Sequence, residues 1–228
     1  MKKLSLVVLF YNEEENVKKV ISNLKEELEK RKANFELIAV SNGSTDKTPE
    51  LLKEINSIKI VTIKKNIGYG YGVLKGLEAC KGELVGYCWG DDQVSAEDVF
   101  KIYHKIAKDP SISLCKGKRK IREGLLRTII SKIYNCLFRI LFSVKLNDIN
   151  ACPKIMRREY YKKIKLVQKD WFVDAEIVLK IVAKGGKIVE VPINYKKRER
   201  GSSNVKGSTV FEFLLNMIKY RINKKKLF

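Results

Sequence analysis

Two adjacent carboxylates and an amide are the side chains in this sequence whose types and spacing most clearly suggest chemistry. Asp91, Asp92 and Gln93 stand in the stretch YCWGDDQVSAED, directly after an apolar run of strand length at residues 84–88. Carboxylate and amide oxygens can bind hard divalent cations, which keep several waters and need few protein groups. A metal site would be expected to contain more acid, yet Trp89 stands beside these residues. What the groups can do therefore depends on the elements that position them.

Apolar periodicity predicts those elements. Continuous apolar runs of strand length lie at residues 4–10, 35–40, 58–63 and 84–88. Helical spacing lies at residues 13–31, with Asn12 as a candidate N-cap, and at 48–55 and 70–80. This alternation of strands and helices predicts an α/β fold, in which helices cover both faces of a mostly parallel sheet. In such sheets, ligands bind beyond the carboxyl ends of the strands.

Polar loops follow all four predicted strands. FYNEEEN follows the first strand, SNGSTDKT the second, KKNIGYGYG the third and YCWGDDQ the fourth. Each loop alone is better explained as a turn, because Asn-Gly and Asp-Gly pairs are common in turns. Together they are expected to converge on one edge of the sheet, where Gly68, Gly70 and Gly72 would let the backbone approach a ligand. Their convergence favours a binding site.

Composition limits the class of protein. The 228 residues are 45% hydrophobic and 32% charged, which is typical of a folded domain rather than a disordered chain. The five cysteines form no CxxC pair, and the N-terminus lacks the apolar core of a signal peptide, so a cytoplasmic location is expected. The single histidine, His104, argues against a zinc site or a histidine-based triad.

The net charge of +21 is concentrated in the second half of the chain. Residues 116–169 contain 16 basic and 3 acidic residues, and residues 196–228 contain 10 basic and 2 acidic residues. These segments account for the whole excess, so the basic surface is expected to meet an anionic partner. From charge alone, nucleic acid, anionic lipid and a phosphorylated substrate all remain open.

Eight stretches, in their order along the chain, resemble family 2 glycosyltransferases of the GT-A fold, in particular dolichol-phosphate mannosyltransferase-like enzymes. They are VVLFYNEEENV, NGSTD, NIGYGYG, GDDQVSAED, GKR, DINACPKIMRR, DWFVDAE and EVPINYKKRERGSS. The resemblance implies inverting transfer of a sugar from GDP-mannose or a UDP-sugar to a polyprenyl or dolichyl phosphate, with Mg²⁺ or Mn²⁺. It implies one GT-A domain at residues 1–207, with a nucleotide-sugar half at about 1–115 and an acceptor half at about 116–207. A basic amphipathic helix is expected at 208–228.

On the donor side, the resemblance implies that Asp91 binds the metal and that the side-chain oxygen of Gln93 joins it. The residues implied to bind the donor nucleotide are Tyr11, Asn12, Glu13, Ser41, Asn42, Gly43, Asn66, Gly68, Trp89 and Asp91. Trp89 replaces an acid that the family usually carries, so metal binding is weaker, the indole stacks on the base or ribose, or the site is inactive. Ser41 and Asn42 stand where many relatives carry two acids, which leaves the base of the donor open.

On the acceptor side, Arg119, Arg127 and Ser131 match positions that hold phosphate groups in the lipid-phosphate members. Arg198 matches a mobile loop of the family that includes Ser203. The arginines suit this role because the guanidinium binds two phosphate oxygens at once. With Asp91, these four residues, Arg119, Arg127, Ser131 and Arg198, form the expected catalytic set.

The acceptor decides whether a general base is required. A lipid phosphate is already an anion at neutral pH, since its second pKa is about 6, and it can attack the anomeric carbon unaided. A sugar hydroxyl, as in glycan or polysaccharide synthesis, would require a base, and Asp174 or Glu176 are the candidates. Both carboxylates can equally be structural. Asp148 and Asn150 lie in a polar loop expected to line the acceptor entrance.

The apolar helical pattern at residues 125–144 has the length of a membrane span, but Arg127, Lys132 and Arg139 interrupt it. A basic amphipathic helix lying in the interface is expected, with ordinary core packing as the alternative. The tail at 208–228 repeats the pattern, so we expect peripheral attachment to an anionic membrane on its cytoplasmic face. Nucleic-acid binding is not expected, because the basic regions are mixed with long apolar stretches. A catalytically silent nucleotide-binding homologue is the principal rival.

Overall fold

A single mixed sheet of seven strands organises the protein, in the order β3-β2-β1-β4-β6-β5-β7. The computed structural model describes residues 2–120, 125–196 and 207–222. Its strands are β1 (Leu4–Phe10), β2 (Phe35–Asn42), β3 (Lys59–Ile63), β4 (Leu84–Trp89), β5 (Ile112–Arg119), β6 (Lys154–Arg157) and β7 (Lys187–Ile193). All paired strands are parallel except β6, which is antiparallel to β4 and β5. The predicted α/β fold with a mostly parallel sheet is confirmed.

Helices cover both faces of the sheet. They are α1 (Val17–Lys30), α2 (Thr48–Lys53), α3 (Tyr69–Glu78), α4 (Ala96–Lys108), α5 (Leu125–Phe142), α6 (Arg158–Ile164), α7 (Val173–Ala183) and α8 (Gly207–Ile222). One core cluster contains residues of α1, α2 and α4, and the other contains residues of α3, α5, α6, α7 and α8. Along β1, Leu6 and Val8 belong to one cluster while Val7 and Leu9 belong to the other, which explains the continuous apolar run.

The first helix begins four residues later than the sequence predicts. Predicted from residue 13, it starts at Val17, and Asn16 rather than Asn12 is its N-cap, so the predicted cap is wrong. The N–H of Glu13 donates to Oγ1 of Thr48 at 2.9 Å, and Asn12 has a φ of 54° rather than the extended conformation of an N-cap. The other strand and helix boundaries predicted within residues 4–144 lie within two residues of those observed, and the predicted end of the last helix at residue 228 lies outside the described residues.

The loops after β1 and β2 are joined by side chain to backbone hydrogen bonds. Glu14 N–H donates to Oδ2 of Asp46 at 3.0 Å, and Thr45 N–H donates to Oδ1 of Asn12 at 2.8 Å. In return, the N–H of Lys47 donates to a carboxylate oxygen of Glu14 at 2.9 Å. These bonds fix the two loops relative to one another at the carboxyl edge of the sheet.

Strands β4 and β6 also reach the edge of the sheet at which these loops lie. β4 lies beside β1 on the side opposite β2, so the chain reverses its direction of strand addition between β1 and β4. Open α/β sheets bind ligands at this reversal. Because β6 is antiparallel, its N-terminal end, preceded by the cis peptide Cys152–Pro153, lies at the same edge as the carboxyl ends of the parallel strands.

Replacing Thr48 by valine tests the loop contact. The substitution keeps the β-branched shape but removes the acceptor for the buried Glu13 N–H, so unfolding free energy should fall by about 1–3 kcal/mol. Thr62→Val, at an exposed position of β3, is the matched control and should change stability little. Denaturant unfolding monitored by circular dichroism gives both values, and equal losses in the two variants would contradict the role of Thr48.

Candidate functional site

Asp91 lies in the turn after β4, where it is half-buried. Burial raises the pKa of Asp91 to about 6, and the nearby Asp92 adds to the rise. The N–H of Gln93 opposes this shift by donating to Oδ1 of Asp91 at 3.2 Å. A buried carboxylate with an elevated pKa is stabilised by a cation, which is the electrostatic character expected of a metal ligand.

The side chains of Asp92 and Gln93, which follow Asp91, contact other parts of the protein. Asp92 has φ of 56° and forms a 2.7 Å ion pair with Lys19 of α1. The side chain of Gln93 donates to the carbonyl of Lys196 at 3.1 Å and accepts from the hydroxyl of Tyr195 at 3.2 Å. An amide oxygen has two lone pairs, so the metal role of Gln93 stays a prediction.

The oxygen donors at this corner fit a metal ion that is shared with a ligand. Within residues 2–120, 125–196 and 207–222, no group of three or more His, Cys, Asp or Glu side chains could hold a metal. Mg²⁺ is typically bound by one or two carboxylates together with substrate phosphates and waters rather than by an all-protein cage. Asp91, with the amide oxygen of Gln93 beside it, therefore suits Mg²⁺ or Mn²⁺ only together with a phosphate-bearing ligand.

Ser41 and Asn42 end β2 with buried polar atoms. They are 1% and 4% exposed. The side-chain N–H of Asn42 donates to the carbonyl of Gly68 at 3.3 Å, but Asn42 Oδ1 and Ser41 Oγ have no hydrogen-bond partner among the described residues. Buried polar atoms are normally paired, so these two are exceptions, and their contact with a nucleotide stays a prediction. Ser41 pairs in register with Phe10, and Trp89 with Leu9, so the ends of β2 and β4 flank the end of β1.

Two glycines at this edge, Gly43 and Gly68, allow other segments of the protein's own backbone to approach closely. Gly43 has φ of 73°, and a Cβ there would lie 2.2 Å from the backbone nitrogen of Asn66. Gly68 has φ of 132°, and a Cβ there would lie 2.2 Å from the carbonyl oxygen of Lys169. The side chain of Asn66 accepts from the N–H of Gly68 at 2.9 Å. The close approach predicted for a ligand is therefore made by neighbouring segments of the chain, and the nucleotide contacts of these residues stay predictions.

The remaining residues predicted to bind the donor nucleotide lie in the loop after β1. Tyr11 is half-buried and Asn12 is exposed. Glu13 is buried and accepts a 2.6 Å hydrogen bond from the side chain of Asn16. These residues hold the loop after β1 in place, and their contact with a nucleotide stays a prediction.

Trp89 is held by a second aromatic residue. Its indole N–H donates to the hydroxyl of Tyr69 at 2.9 Å, and the ring of Tyr69 stacks on Trp171 with centroids 4.7 Å apart. Trp89 also meets Tyr195 edge to face at 6.1 Å. The indole N–H is therefore engaged within the protein, and this position supplies aromatic packing where an acid was expected.

Arg119 is fixed by a bidentate ion pair. Its Nε and Nη2 each lie 2.8 Å from an oxygen of Asp148, and its guanidinium lies over the ring of Tyr195 at 5.4 Å. Asp148 is 2% exposed, so this pair is shielded from water. Asn150, in the same loop, is half-buried. The predicted loop and the predicted phosphate-binding arginine thus lie together.

Two fully buried lysines support this region, and sequence reasoning missed them. Lys116 of β5 contacts the carbonyl oxygens of Gly117 and Asp148, and burial lowers its pKa to about 8. Lys154 of β6 contacts Asp174, which also accepts a 2.6 Å hydrogen bond from the hydroxyl of Tyr87. A lysine inside an apolar strand is the signal that could have found them, because a buried charge requires a partner.

Asp174 and Glu176 are both engaged in buried contacts. Asp174 pairs with Lys154, and Glu176 accepts from the N–H groups of Val167 and Gln168 and pairs with Lys180 at 2.8 Å. These contacts favour the structural alternative for both carboxylates.

Ser131 lies on α5, where its carbonyl accepts from the side chain of Asn135 at 2.7 Å. Asn135 in turn accepts from the N–H of Ile149, so Ser131 is tied to the loop of Asp148. The side chain of Arg127, together with Arg198 and Ser203, lies outside the described part of the chain.

Curated proteins with similar sequences carry names of lipid-phosphate sugar transferases. The chain is 29% identical to a dolichol-phosphate mannosyltransferase of Pyrococcus furiosus, over 97% of this chain and 64% of that protein. It is 29% identical to a dodecaprenyl-phosphate galacturonate synthase of Rhizobium johnstonii, over 94% of this chain and 65% of that protein. The chain thus spans somewhat less than two thirds of the length of these two relatives.

Solved structures show the same fold. Glucosyl-3-phosphoglycerate synthase from Mycobacterium tuberculosis, in complex with Mn²⁺, UDP and glucosyl-3-phosphoglycerate, matches with a TM-score of 0.78 at 17% identity. The match covers 96% of this chain and 80% of that one. The same enzyme in complex with Mg²⁺ and UDP matches with a TM-score of 0.74 at 18% identity, over 95% of this chain and 79% of that one. The GT-A fold implied by the sequence is confirmed.

A family model matches most of the chain directly. The model described as glycosyl transferase family 2 covers residues 5–165, which include β1 to β6 and the turn of Asp91. With this match and the sequence relatives above, the chain belongs to glycosyl transferase family 2.

Proposed function

We propose that the protein is an inverting glycosyltransferase that moves a sugar from a nucleoside-diphosphate sugar to a polyprenyl or dolichyl phosphate. The observation that carries this proposal is the half-buried carboxylate of Asp91 after β4, together with the unpaired polar atoms of Ser41 and Asn42 at the end of β2, two strands away in the sheet. A carboxylate that can bind a cation suits the diphosphate of a nucleotide, and the polar residues at the end of β2 would meet its base. The names of the sequence relatives support the lipid-phosphate acceptor.

On the donor side, Asp91 and Gln93 would hold Mg²⁺ or Mn²⁺ together with the diphosphate. The bound cation would neutralise charge that develops on the leaving nucleoside diphosphate. Ser41 and Asn42 would orient the base, since Asn42 Oδ1 and Ser41 Oγ can accept hydrogen bonds from it. These contacts leave the choice between GDP and UDP donors to direct measurement.

On the acceptor side, Arg119 would orient the lipid phosphate. Its pair with Asp148 uses Nε and Nη2, and Nη1 is not part of that pair. A phosphate oxygen forms the new bond to the anomeric carbon while the bond from that carbon to the diphosphate oxygen breaks, with inversion. The nucleophile arrives deprotonated, so no general base is required. This agrees with the engagement of Asp174 and Glu176 in buried pairs, which disfavours the alternative of a saccharide hydroxyl acceptor.

A partly apolar, partly basic surface on α5 and α8 would place the site at a membrane. Ile129, Ile133 and Ile140 of α5 are 52%, 53% and 71% exposed, and Ile218 and Ile222 of α8 are 52% and 75% exposed. Exposed basic residues accompany them on these helices, namely Lys132, Arg139, Lys219 and Arg221. In the described part of the chain, no helix is long and apolar enough to cross a membrane. This surface suits peripheral contact with an anionic leaflet, which we propose to be the cytoplasmic one.

Calorimetric titration with GDP, UDP, CDP and dTDP, each with and without Mn²⁺, tests the donor site. We expect Mn²⁺-dependent binding of one nucleotide, weakened by at least about tenfold in Asp91→Asn because a metal-binding charge is lost. Asp92→Asn is the matched control, since Asp92 pairs with Lys19, and it should bind within about twofold of the wild type. Absence of nucleotide binding by the folded protein would refute the proposed function and favour a scaffold that has lost its donor.

Arg119→Lys tests the acceptor assignment. The change keeps the charge but removes the planar fork, so the KM for polyprenyl phosphate should rise about tenfold while Mn²⁺-dependent nucleotide affinity stays unchanged. Arg31→Lys, at an exposed position just after α1, is the control and should change neither quantity. An equal loss of nucleotide affinity in Arg119→Lys would instead place this arginine on the donor diphosphate.

Flotation with vesicles that contain anionic phosphatidylglycerol tests the membrane surface. Ile133→Glu combined with Ile140→Glu should lower vesicle binding by more than tenfold, because each buried isoleucine contributes about 1.5–3 kcal/mol. Val182→Glu, at a position of α7 that is 42% exposed, is the control and should bind as the wild type does. Unchanged flotation of the double variant would show that α5 does not contact the lipid.

A further inference from the structure

Both tryptophans of the chain contact the same tyrosine. Trp89 and Trp171 are the two tryptophans in 228 residues, and Tyr69 receives the indole N–H of Trp89 and stacks on Trp171 at an interplanar angle of 17°. Trp89 is the last residue of β4, two positions before Asp91, and Trp171 lies just before α7. Tyr69 therefore connects the turn that carries the candidate metal ligand with the segment that leads to Asp174.

The hydroxyl of Tyr69 is suited to a fixed structural role. Burial raises the pKa of Tyr69 well above its ordinary value, and the charge of Asp174 adds to the rise, so the hydroxyl stays neutral. Besides accepting from Trp89, the hydroxyl lies 3.7 Å from Sγ of Cys152, just before β6. A neutral hydroxyl between these groups holds Trp89 without placing a charge beside the donor site.

The ring of Tyr69 is fixed by the backbone on either side of it. A Cβ added at Gly70 would lie 2.6 Å from the carbonyl oxygens of Gln168 and Asp170. A Cβ added at Gly68 would likewise clash with the carbonyl oxygen of Lys169. The N–H of Tyr71 donates to the carbonyl of Lys169 at 3.0 Å. The start of α3 and residues 168–170 thus pack backbone to backbone, which leaves Tyr69 little freedom to turn.

Residues 168–172, which include the segment that packs against Tyr69, also contact α8. Asp170 accepts a 2.9 Å hydrogen bond from the side chain of Asn216, and the rings of Phe172 and Tyr220 lie 5.1 Å apart. The stack of Trp171 on Tyr69 therefore rests on a segment with contacts on two sides. Tyr69 is the point at which this segment meets the donor corner.

We propose that Tyr69 is a positioning residue for the donor site: its hydroxyl holds Trp89, and through Trp89 the turn that carries Asp91, in the geometry that binds the nucleotide. The proposal rests on the proposed function, because it assigns Tyr69 a role in donor binding. It also gives Trp89, at a position where the sequence resemblance implied an acid, a positioning role in place of a charge. Tyr69 acts through Trp89 and does not itself touch the donor.

A double-mutant cycle on nucleotide affinity tests this role. We would measure the affinity for GDP and UDP with Mn²⁺ by calorimetry in Tyr69→Phe, Trp89→Phe and the combined variant. Each single change removes one side of the same hydrogen bond, so each should weaken binding about fivefold, and the combination should also weaken it about fivefold rather than about 25-fold. Tyr71→Phe removes a hydroxyl from the same helix as the matched control and should bind within about twofold of the wild type.

Tryptophan fluorescence gives a second measurement that needs no ligand. In a Trp171→Phe background, the emission of Trp89 should shift when Tyr69→Phe is added and should stay unchanged when Tyr71→Phe is added. Thermal unfolding followed by circular dichroism checks that each variant is folded, and Trp89→Phe alone still tests the role if Tyr69→Phe does not fold.

The outcomes separate this proposal from the proposed function. Wild-type binding that is lost in Asp91→Asn but unchanged in Tyr69→Phe would overturn the positioning role alone. A 25-fold loss in the combined variant would overturn it as well, because the two residues would then act independently. If the wild type binds no nucleoside diphosphate, the proposed function fails, and the role of Tyr69 in donor binding fails with it.

Discussion

The buried carboxylate of Asp148 is the group around which β5, β7 and the loop before β6 are held together. It accepts three hydrogen bonds from Arg119, two from the guanidinium and one from the backbone N–H, and the backbone carbonyl of Asp148 accepts one from Lys116. Its own N–H donates to Glu190 of β7 at 2.9 Å. One residue thus joins β5, β7 and the loop that leads to β6. Removing one partner of a buried ion pair typically costs about 3–5 kcal/mol, because the other charge is left without compensation in a medium of low dielectric.

The positive charges in the second half of the chain fall into two groups, those paired inside the protein and those near its surface. Lys116, Arg119 and Lys154 are buried or nearly so, and they pair with Glu190, Asp148 and Asp174 respectively. Because each cation is matched by an anion, these pairs leave little net charge inside. The excess of residues 116–169 is therefore carried mainly by groups near the surface, where it can attract an anionic lipid or phosphate over a distance of about a Debye length. The buried groups fix geometry.

The donor half could be predicted from sequence because its signals are local. β1 and β4 are continuous apolar runs, and Asp91 follows directly where β4 ends, so spacing alone placed the carboxylate at the correct edge of the sheet. The start of α1 could not be predicted in this way. Asn12 has a φ of 54° rather than the extended conformation of an N-cap, and Asn12 and Glu13 form hydrogen bonds with residues 33 and 35 positions away. No periodicity within either segment contains that information. The partners of Lys116 were missed for the same reason, since Asp148 is 32 positions away.

Trp89 shows what a motif alone leaves open. By analogy with an acid at this position, a missing carboxylate suggests a weakened or inactive site. The structure shows that the indole N–H is paired with Tyr69, 20 positions away, and that the adjoining turn carries Asp91, whose pKa is raised by burial. A carboxylate in the place of Trp89 would add a second charge to a corner where desolvation already disfavours the charge of Asp91. With an aromatic residue there, the corner keeps one desolvated anion, and a divalent cation must then obtain its remaining ligands from the diphosphate and water.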